Sequence, residues 1–204
     1  MTGNPITIPQ DKPFQYIRMK KIIGICLVAL IANSCQRAER ETYLIPSDFT
    51  GRVQIIFNQN GIPVKYQNEY GRDTTYTPKV GAPIKYENGR RLYEIPENGI
   101  LLTQFKDNYG FINRTYFSVD KKGNRLPLEV YELDHYKRDS TRWVVKDKNK
   151  KGIFGDGTSG SYGNMNVAFQ DFIVSSANTL DSFYKKEYKD KFMINLNKAA
   201  GLGL

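Results

Sequence analysis

The chain has 204 residues, 40% hydrophobic and 25% charged, which suits one globular domain and excludes a disordered or fibrous composition. Its formal charge is +9, of which residues 1–35 carry +3 (Lys12, Arg18, Lys20 and Lys21 against Asp11), leaving 9 − 3 = +6 for the rest, an excess that selects no partner. Its two cysteines, Cys26 and Cys35, both lie early, so a disulfide framework further along is excluded, and one histidine without a thiol supplies too few ligands for the usual zinc site.

Residues 1–18 contain Pro5, Pro9 and Pro13 and fit no signal pattern, so they are read as an N-terminal extension from a mis-called start, with initiation at Met19. Met19-Lys20-Lys21 is a short basic start, Ile22 to Ile31 is apolar, and Ala32-Asn33-Ser34 ends in a small residue before Cys35. That pattern marks residues 19–34 as a secretory signal. A cysteine just after the cut specifies lipoprotein processing: its thiol receives diacylglycerol and cleavage frees its amine. The apolar run is about ten residues, too short to cross a bilayer core of roughly 30 Å as a permanent helix. Residues 35–41 then form a lipidated tether. Gln36 stands where aspartate would retain a lipoprotein in the inner membrane of enteric bacteria, which points to the outer membrane.

From residue 42 the pattern becomes that of strands. Fourteen tyrosines and 11 phenylalanines accompany frequent Asn-Gly turns. Tyr43-Leu44-Ile45 before Pro46 is an extended lead-in. Val53, Ile55 and Phe57 alternate with Arg52, Gln54 and Asn58, the period of a half-buried strand. Ile84 to Tyr86 and Arg91 to Ile95 flank Asn88-Gly89, a type I′ hairpin signal, and Ile100 to Phe105 follows the turn at Asn98-Gly99. Further strands are read at Thr115 to Val119, Leu128 to Val130, Trp143 to Val145 and Val167 to Val174, with Pro63, Pro83 and Pro127 at strand starts or edges. One helix is expected, from Thr179 to about Phe192 with Asn178 as its cap. Residues 42–204 are therefore read as one mostly β domain, an antiparallel β-sandwich of immunoglobulin-like or transthyretin-like kind with a single C-terminal helix.

Several runs resemble a known family: Glu41 to Pro46, Phe49-Thr50-Gly51 with Val53 to Phe57, Tyr86 to Pro96, and Asn98 to Phe105. Their order and spacing are similar to those of an uncharacterised bacterial family, domain of unknown function DUF6843, over residues 41–130. Its members are often lipoproteins, so the resemblance implies an extracytoplasmic β domain. No activity or ligand is established for that family, so no site residue carries over. Against its pattern, Gln67 to Gly81 reads as an inserted loop.

The motifs that could carry chemistry are weak. Gly155-Asp156-Gly157-Thr158-Ser159-Gly160 matches G-x-G-x-x-G, but a dinucleotide loop must open a helix, and here a strand follows. Gly155 to Gly163 is read instead as a flexible loop. His135 stands beside Asp134 without a nucleophile motif, and no calcium loop is present. Lys146 to Gly152 is read as a solvated turn. Tyr66, Tyr70, Tyr76, Tyr86 and Tyr93 could form a glycan-stacking cluster, though aromatic-rich strands are more often core. Asn113-Arg114-Thr115 is a sequon by pattern only.

The expectation is a lipid-anchored envelope protein acting as a binding or assembly module, not an enzyme. Its lipidation site is Cys35, with no catalytic, cofactor-binding or metal residues and no cofactor. Its partners would be the membrane, through that lipid, and an unidentified envelope protein or glycan, with no nucleic acid. The alternative is an envelope hydrolase using paired carboxylates, Glu94 with Glu97 or Asp134 with Asp139.

Overall fold

Alternation along two strands sets the architecture, because every second residue of a strand shares a face. In a computed structural model of the chain, which describes residues 38–68, 70–132, 143–162 and 167–202, strand β1 (Glu41–Pro46) turns Glu41, Tyr43 and Ile45 inward, all fully buried. Strand β2 (Gly51–Ile56) turns Val53 and Ile55 into the same core.

Two five-stranded sheets contribute to that core. The first runs in the order β5 (Tyr86–Glu87), β6 (Arg90–Glu94), β1, β8 (Arg114–Val119), β9 (Arg125–Pro127). The second runs β10 (Glu129–Tyr131), β11 (Gly152–Tyr162), β12 (Val167–Ser175), β2, β7 (Ile100–Leu102). Tyr43, Ile45 and Tyr93 of the first sheet meet Val53, Ile55, Phe172 and Val174 of the second, which gives the sandwich-like arrangement. A separate hairpin, β3 (Val64–Gln67) with β4 (Asp73–Tyr76), occupies much of the segment read as an inserted loop.

The sheets are mixed rather than antiparallel. β1 is parallel to both of its neighbours, β6 and β8; β2 is parallel to β7, and β10 to β11. Turn signals mark only local pairings, such as β5–β6 at Asn88-Gly89, and such pairings are antiparallel. Parallel partners need long connections that leave no local mark in the sequence.

At the predicted hairpin, Asn88 and Gly89 both have positive φ (50° and 69°), as a type I′ turn requires. Trp143 to Val145 is not a strand; Trp143 packs edge-on against Phe154.

The helical segment is split. Leu180–Tyr184 is a 3₁₀ turn, Lys185 is extended (ψ 143°), and α1 (Lys186–Ala200) runs eight residues beyond the expected end. The hydroxyl of Thr179 bonds to those of Ser175 and Ser176, and no side chain caps either segment. Glu187 suits the first turn of α1, and Gly201, at φ 68°, closes it with a bond to the Asn197 carbonyl. Phe192, Leu196 and Ala200, four residues apart, form one stripe that packs with Ile56, Ile100 and Val167 of the second sheet. That cover explains why Gln54, on the face of β2 away from Val53, is also buried.

Candidate functional site

The parallel register around β1 builds two rows of side chains across three strands. Glu41 is in register with Arg91 on β6 and Arg114 on β8; Tyr43 is in register with Tyr93 and Tyr116. The tyrosine rings stack, with centroids 5.0 Å apart for Tyr43–Tyr93 and 4.6 Å for Tyr43–Tyr116. Burying a carboxylate is costly unless it is paired and hydrogen-bonded, and Glu41 is both. Arg114 Nε donates to its Oε2 at 3.1 Å, the Tyr43 hydroxyl lies 2.5 Å from Oε2, and Asn108 Nδ2 donates to Oε1 at 3.1 Å. Arg91 pairs with Glu39 instead.

A second carboxylate closes the network. Asp156 Oδ1 accepts from the Tyr116 hydroxyl and lies 3.4 Å from Arg114 Nη1. Burial pushes the Tyr43 and Tyr116 phenols well up, with Tyr116, Glu41 and Tyr93 adding to it at Tyr43 and Asp156 and Glu41 at Tyr116; burial and Glu41 raise Tyr93 likewise. Burial works against the Arg114 guanidinium, but Tyr43, Asp156, Tyr116 and Glu41 outweigh it and hold its pKa above the ordinary arginine value.

The network reaches a cleft of about 590 Å³, between residues 107–112 and the paired strands β11 and β12, through its outer members alone. Asn108, Arg114 and Gln170 line it, together with Phe57, Ser159 and Ser161. Gln170 is 3% exposed; its Oε1 lies 3.0 Å from the Tyr43 hydroxyl, and its Nε2 has no partner among the described residues. Tyr43 has one proton and Glu41 holds it at the shorter distance, so one end of the Gln170 amide stays unused whichever way the amide is turned.

The glycine-rich run makes the opposite wall. It is strand rather than flexible loop: β11 continues to Tyr162, with a register shift between Phe154 and Thr158. Gly155 and Gly157, at φ 74° and 87°, accommodate this bulge, which sets Asp156 against Tyr116 and Arg114. The run itself is strand as far as Tyr162, not the strand-to-helix turn on which a dinucleotide loop holds phosphate. The 107–112 segment is fixed to the start of the domain. Asn108 accepts from Glu39 N–H at 3.2 Å and donates to the Glu39 carbonyl at 2.7 Å. Tyr109 and Phe111 are nonetheless exposed, and the Tyr109 hydroxyl bonds to Asp107, which raises its pKa.

Of the residues singled out from sequence, Cys35, Asp134, His135 and Asp139 lie outside the described residues. Glu94 is exposed and ion-paired to Lys85 at 2.6 Å; Glu97 borders a different, smaller hollow with Pro46, Asp48 and Phe49. Neither lines the cleft. The tyrosines do not form one surface: Tyr93 and Tyr76 are buried, while Tyr70 and Tyr86 are exposed, because the strand alternation turns some of them inward. Asn149 N–H bonds to Asp147 Oδ1 at 2.9 Å within an exposed turn, as the solvated reading of Lys146 to Gly152 expects. Asn113 of the sequon accepts a bond from Arg90. Among the described residues, no three His, Cys, Asp or Glu side chains gather as metal ligands do, and no helix is long and apolar enough to cross a membrane.

Sequence reasoning missed the residues that form the network. A signal was available: Glu41-Thr42-Tyr43, Arg91-Leu92-Tyr93 and Arg114-Thr115-Tyr116 each pair a charge with a tyrosine two residues on, the spacing of one strand face.

No curated protein matches the chain. A 2.75 Å crystal structure of a Bacillus anthracis protein, provisionally named a lipoprotein, superposes with a TM-score of 0.45 at 15% identity, covering 78% of this chain and 95% of that one. The sequence profile of a family of unknown function matches residues 73–183, which include β11, Asp156 and Gln170 but not β1, and run further towards the C-terminus than the resemblance over residues 41–130. With more than half of its 204 residues matched, the chain belongs to the DUF6843 family.

Proposed function

We propose that this protein is a lipid-anchored binding module of the bacterial envelope, and that the cleft beside the Glu41 network binds a glycan. The observation that carries the reading is Gln170. A nearly fully buried amide with one unused end, in the lining of a cleft, offers a hydrogen bond that a bound ligand can complete once a small turn of the side chain brings that end to the cleft. Ser159 and Ser161 add exposed hydroxyls, and Phe57 an apolar wall. Arg114 is matched by two carboxylates, which favours a neutral polyhydroxyl ligand over an anion. The rows of tyrosine and paired charge hold these lining groups rigid before the ligand arrives.

The anchor rests on the basic, apolar and small-residue run that ends at Cys35. Gln36 after the anchor favours the outer membrane. Cys35→Ala should abolish labelling by a fatty-acid analogue and release the protein from the membrane fraction; undiminished label refutes the anchor.

The cleft is tested with the mature protein and soluble glycan strands released from bacterial cell wall, titrated by calorimetry. Ser161 is exposed, so Ser161→Trp fills the cleft without disturbing the core. Binding by the natural protein and its loss in this variant, with unchanged melting, supports the site. Equal binding in both overturns it. Shortened strands after incubation would make the protein a hydrolase, with acids other than Glu94 and Glu97.

A further inference from the structure

Two aromatic side chains stand in solvent on a segment that is otherwise tied down. Tyr109 is 77% exposed and Phe111 is fully exposed. An isolated exposed apolar residue needs no explanation, but here two neighbours project from a backbone held in place by the two Asn108–Glu39 hydrogen bonds. The Arg91 guanidinium adds a third bond, to the Lys106 carbonyl at the start of the segment. The aromatics are therefore presented by a fixed support.

The same support lies where the chain emerges. A Cβ placed on Gly110 would come within 3.7 Å of the Ala38 Cβ. Ala38 is three residues after Cys35, and three residues span at most roughly 11 Å even when fully extended. A lipid on Cys35 brings the 109–111 tip to within that short tether of the bilayer surface. Tyr and Phe are suited to that depth: the ring sits among acyl chains or glycerol groups, and a tyrosine hydroxyl stays with the headgroups. Lys106, at the start of the segment, and Arg40, next to Glu39 in the chain, are both exposed and positive; the carboxylates of these stretches are Glu39, paired with Arg91, and Asp107, bonded to Tyr109. The cationic remainder suits an anionic leaflet.

We propose that Tyr109 and Phe111 form a membrane-seated finger that, together with the lipid, fixes the domain in one orientation, with this end of the sandwich on the bilayer. The inference rests on the proposed anchor at Cys35. Two attachments hold an orientation that a single flexible tether cannot, and they set the cleft mouth beside the membrane surface, since Tyr109 and Phe111 border it.

The test uses the full mature lipoprotein in vesicles of phosphatidylcholine and phosphatidylglycerol, with and without acyl-brominated lipid. Phe111→Trp is introduced in a Trp143→Phe background; Leu126→Trp serves as the control, at a 68% exposed site on β9 whose strand partner is Ser118, towards the opposite end of β8 from Arg114. Phe111 is fully exposed, so its replacement leaves the core untouched. The expected result is blue-shifted emission and quenching by brominated lipid for Phe111→Trp, and neither for Leu126→Trp. Equal quenching at both sites, or none at position 111 in protein that carries its fatty-acid label, overturns the finger and leaves the anchor standing. Absence of label on Cys35 overturns both. As a second reading, Phe111→Asp should raise protease cleavage in the 107–112 segment of vesicle-bound protein; unchanged cleavage speaks against the finger.

Discussion

Along one face of β1 the buried side chains run from Glu41 through Tyr43 to Ile45. At one end is a carboxylate held by an arginine, an asparagine and a phenol; four residues on is an isoleucine in an apolar core shared with Val53 and Val174. Both ends are equally closed to water, yet they do different work. The Ile45 end gains stability from area removed from water. The Glu41 end gains little net stability, because desolvating the charges consumes most of their attraction. What it provides is a set of partners held in fixed positions, and three of them, Asn108, Arg114 and Gln170, line the cleft.

The sharpest way to break this contrast is to remove one partner of the buried charge. Arg114→Met leaves Glu41 enclosed and uncompensated, and should cost about 3–5 kcal/mol in urea unfolding. Combining it with Glu41→Gln should recover a large part, since the unpaired charge is then gone. At the apolar end, Ile45→Ala should cost about 2–4 kcal/mol as a cavity, and no second change of charge should rescue it. If the double variant at the polar end is no more stable than Arg114→Met alone, the network is not a coupled unit.

The same end should give the protein its alkaline limit. Tyr43, Tyr93 and Tyr116 are all held above the ordinary phenol pKa of 10.0 in the folded state. The unfolded chain releases these protons near pH 10, whereas the folded chain keeps them. Above pH 10 the native state therefore binds more protons, and its stability falls as pH rises, while below pH 10 this contribution is fully present. Urea midpoints measured on either side of pH 10, with phenolate absorbance, check it. A flat profile through pH 10, or phenols that ionise freely before unfolding, would contradict their burial.

How much of this could be read from sequence divides along the same line. The hairpin at Asn88-Gly89 and the alternation in β2, β8 and β12 were legible because turn chemistry and side-chain period are local. β1 reads only as an extended lead-in, because its two parallel partners, β6 and β8, lie far along the chain. Gln170 and Asn108 are ordinary residues by pattern; they become a site only when that pairing brings β12 and the 107–112 segment over Glu41. The helix boundary escapes the sequence pattern because Ser175, Ser176 and Thr179 satisfy one another's hydroxyls and the chain straightens at Lys185 before α1 begins.

The smallest effect compares two glycines, one legible and one misread. Gly89 closes the hairpin at φ 69°, and a Cβ added to it would meet nothing within 4 Å, so Gly89→Val should cost only the backbone strain of positive φ, about 1–2 kcal/mol. Gly157, assigned from sequence to a flexible loop, would on that reading accept valine with little consequence. Its place in the β11 bulge at φ 87° reverses that expectation: the backbone strain is of the same kind, about 1–2 kcal/mol. A Cβ there would also be in van der Waals contact with Arg114 Nη1, at 3.5 Å, so the added branches of a valine lie beside the group that holds Glu41 and Asp156. The two variants should therefore lose similar stability and differ in the cleft, with glycan binding weakened by Gly157→Val and untouched by Gly89→Val. Unchanged stability in Gly157→Val would restore the flexible loop; equal binding by both variants would separate the bulge from the site.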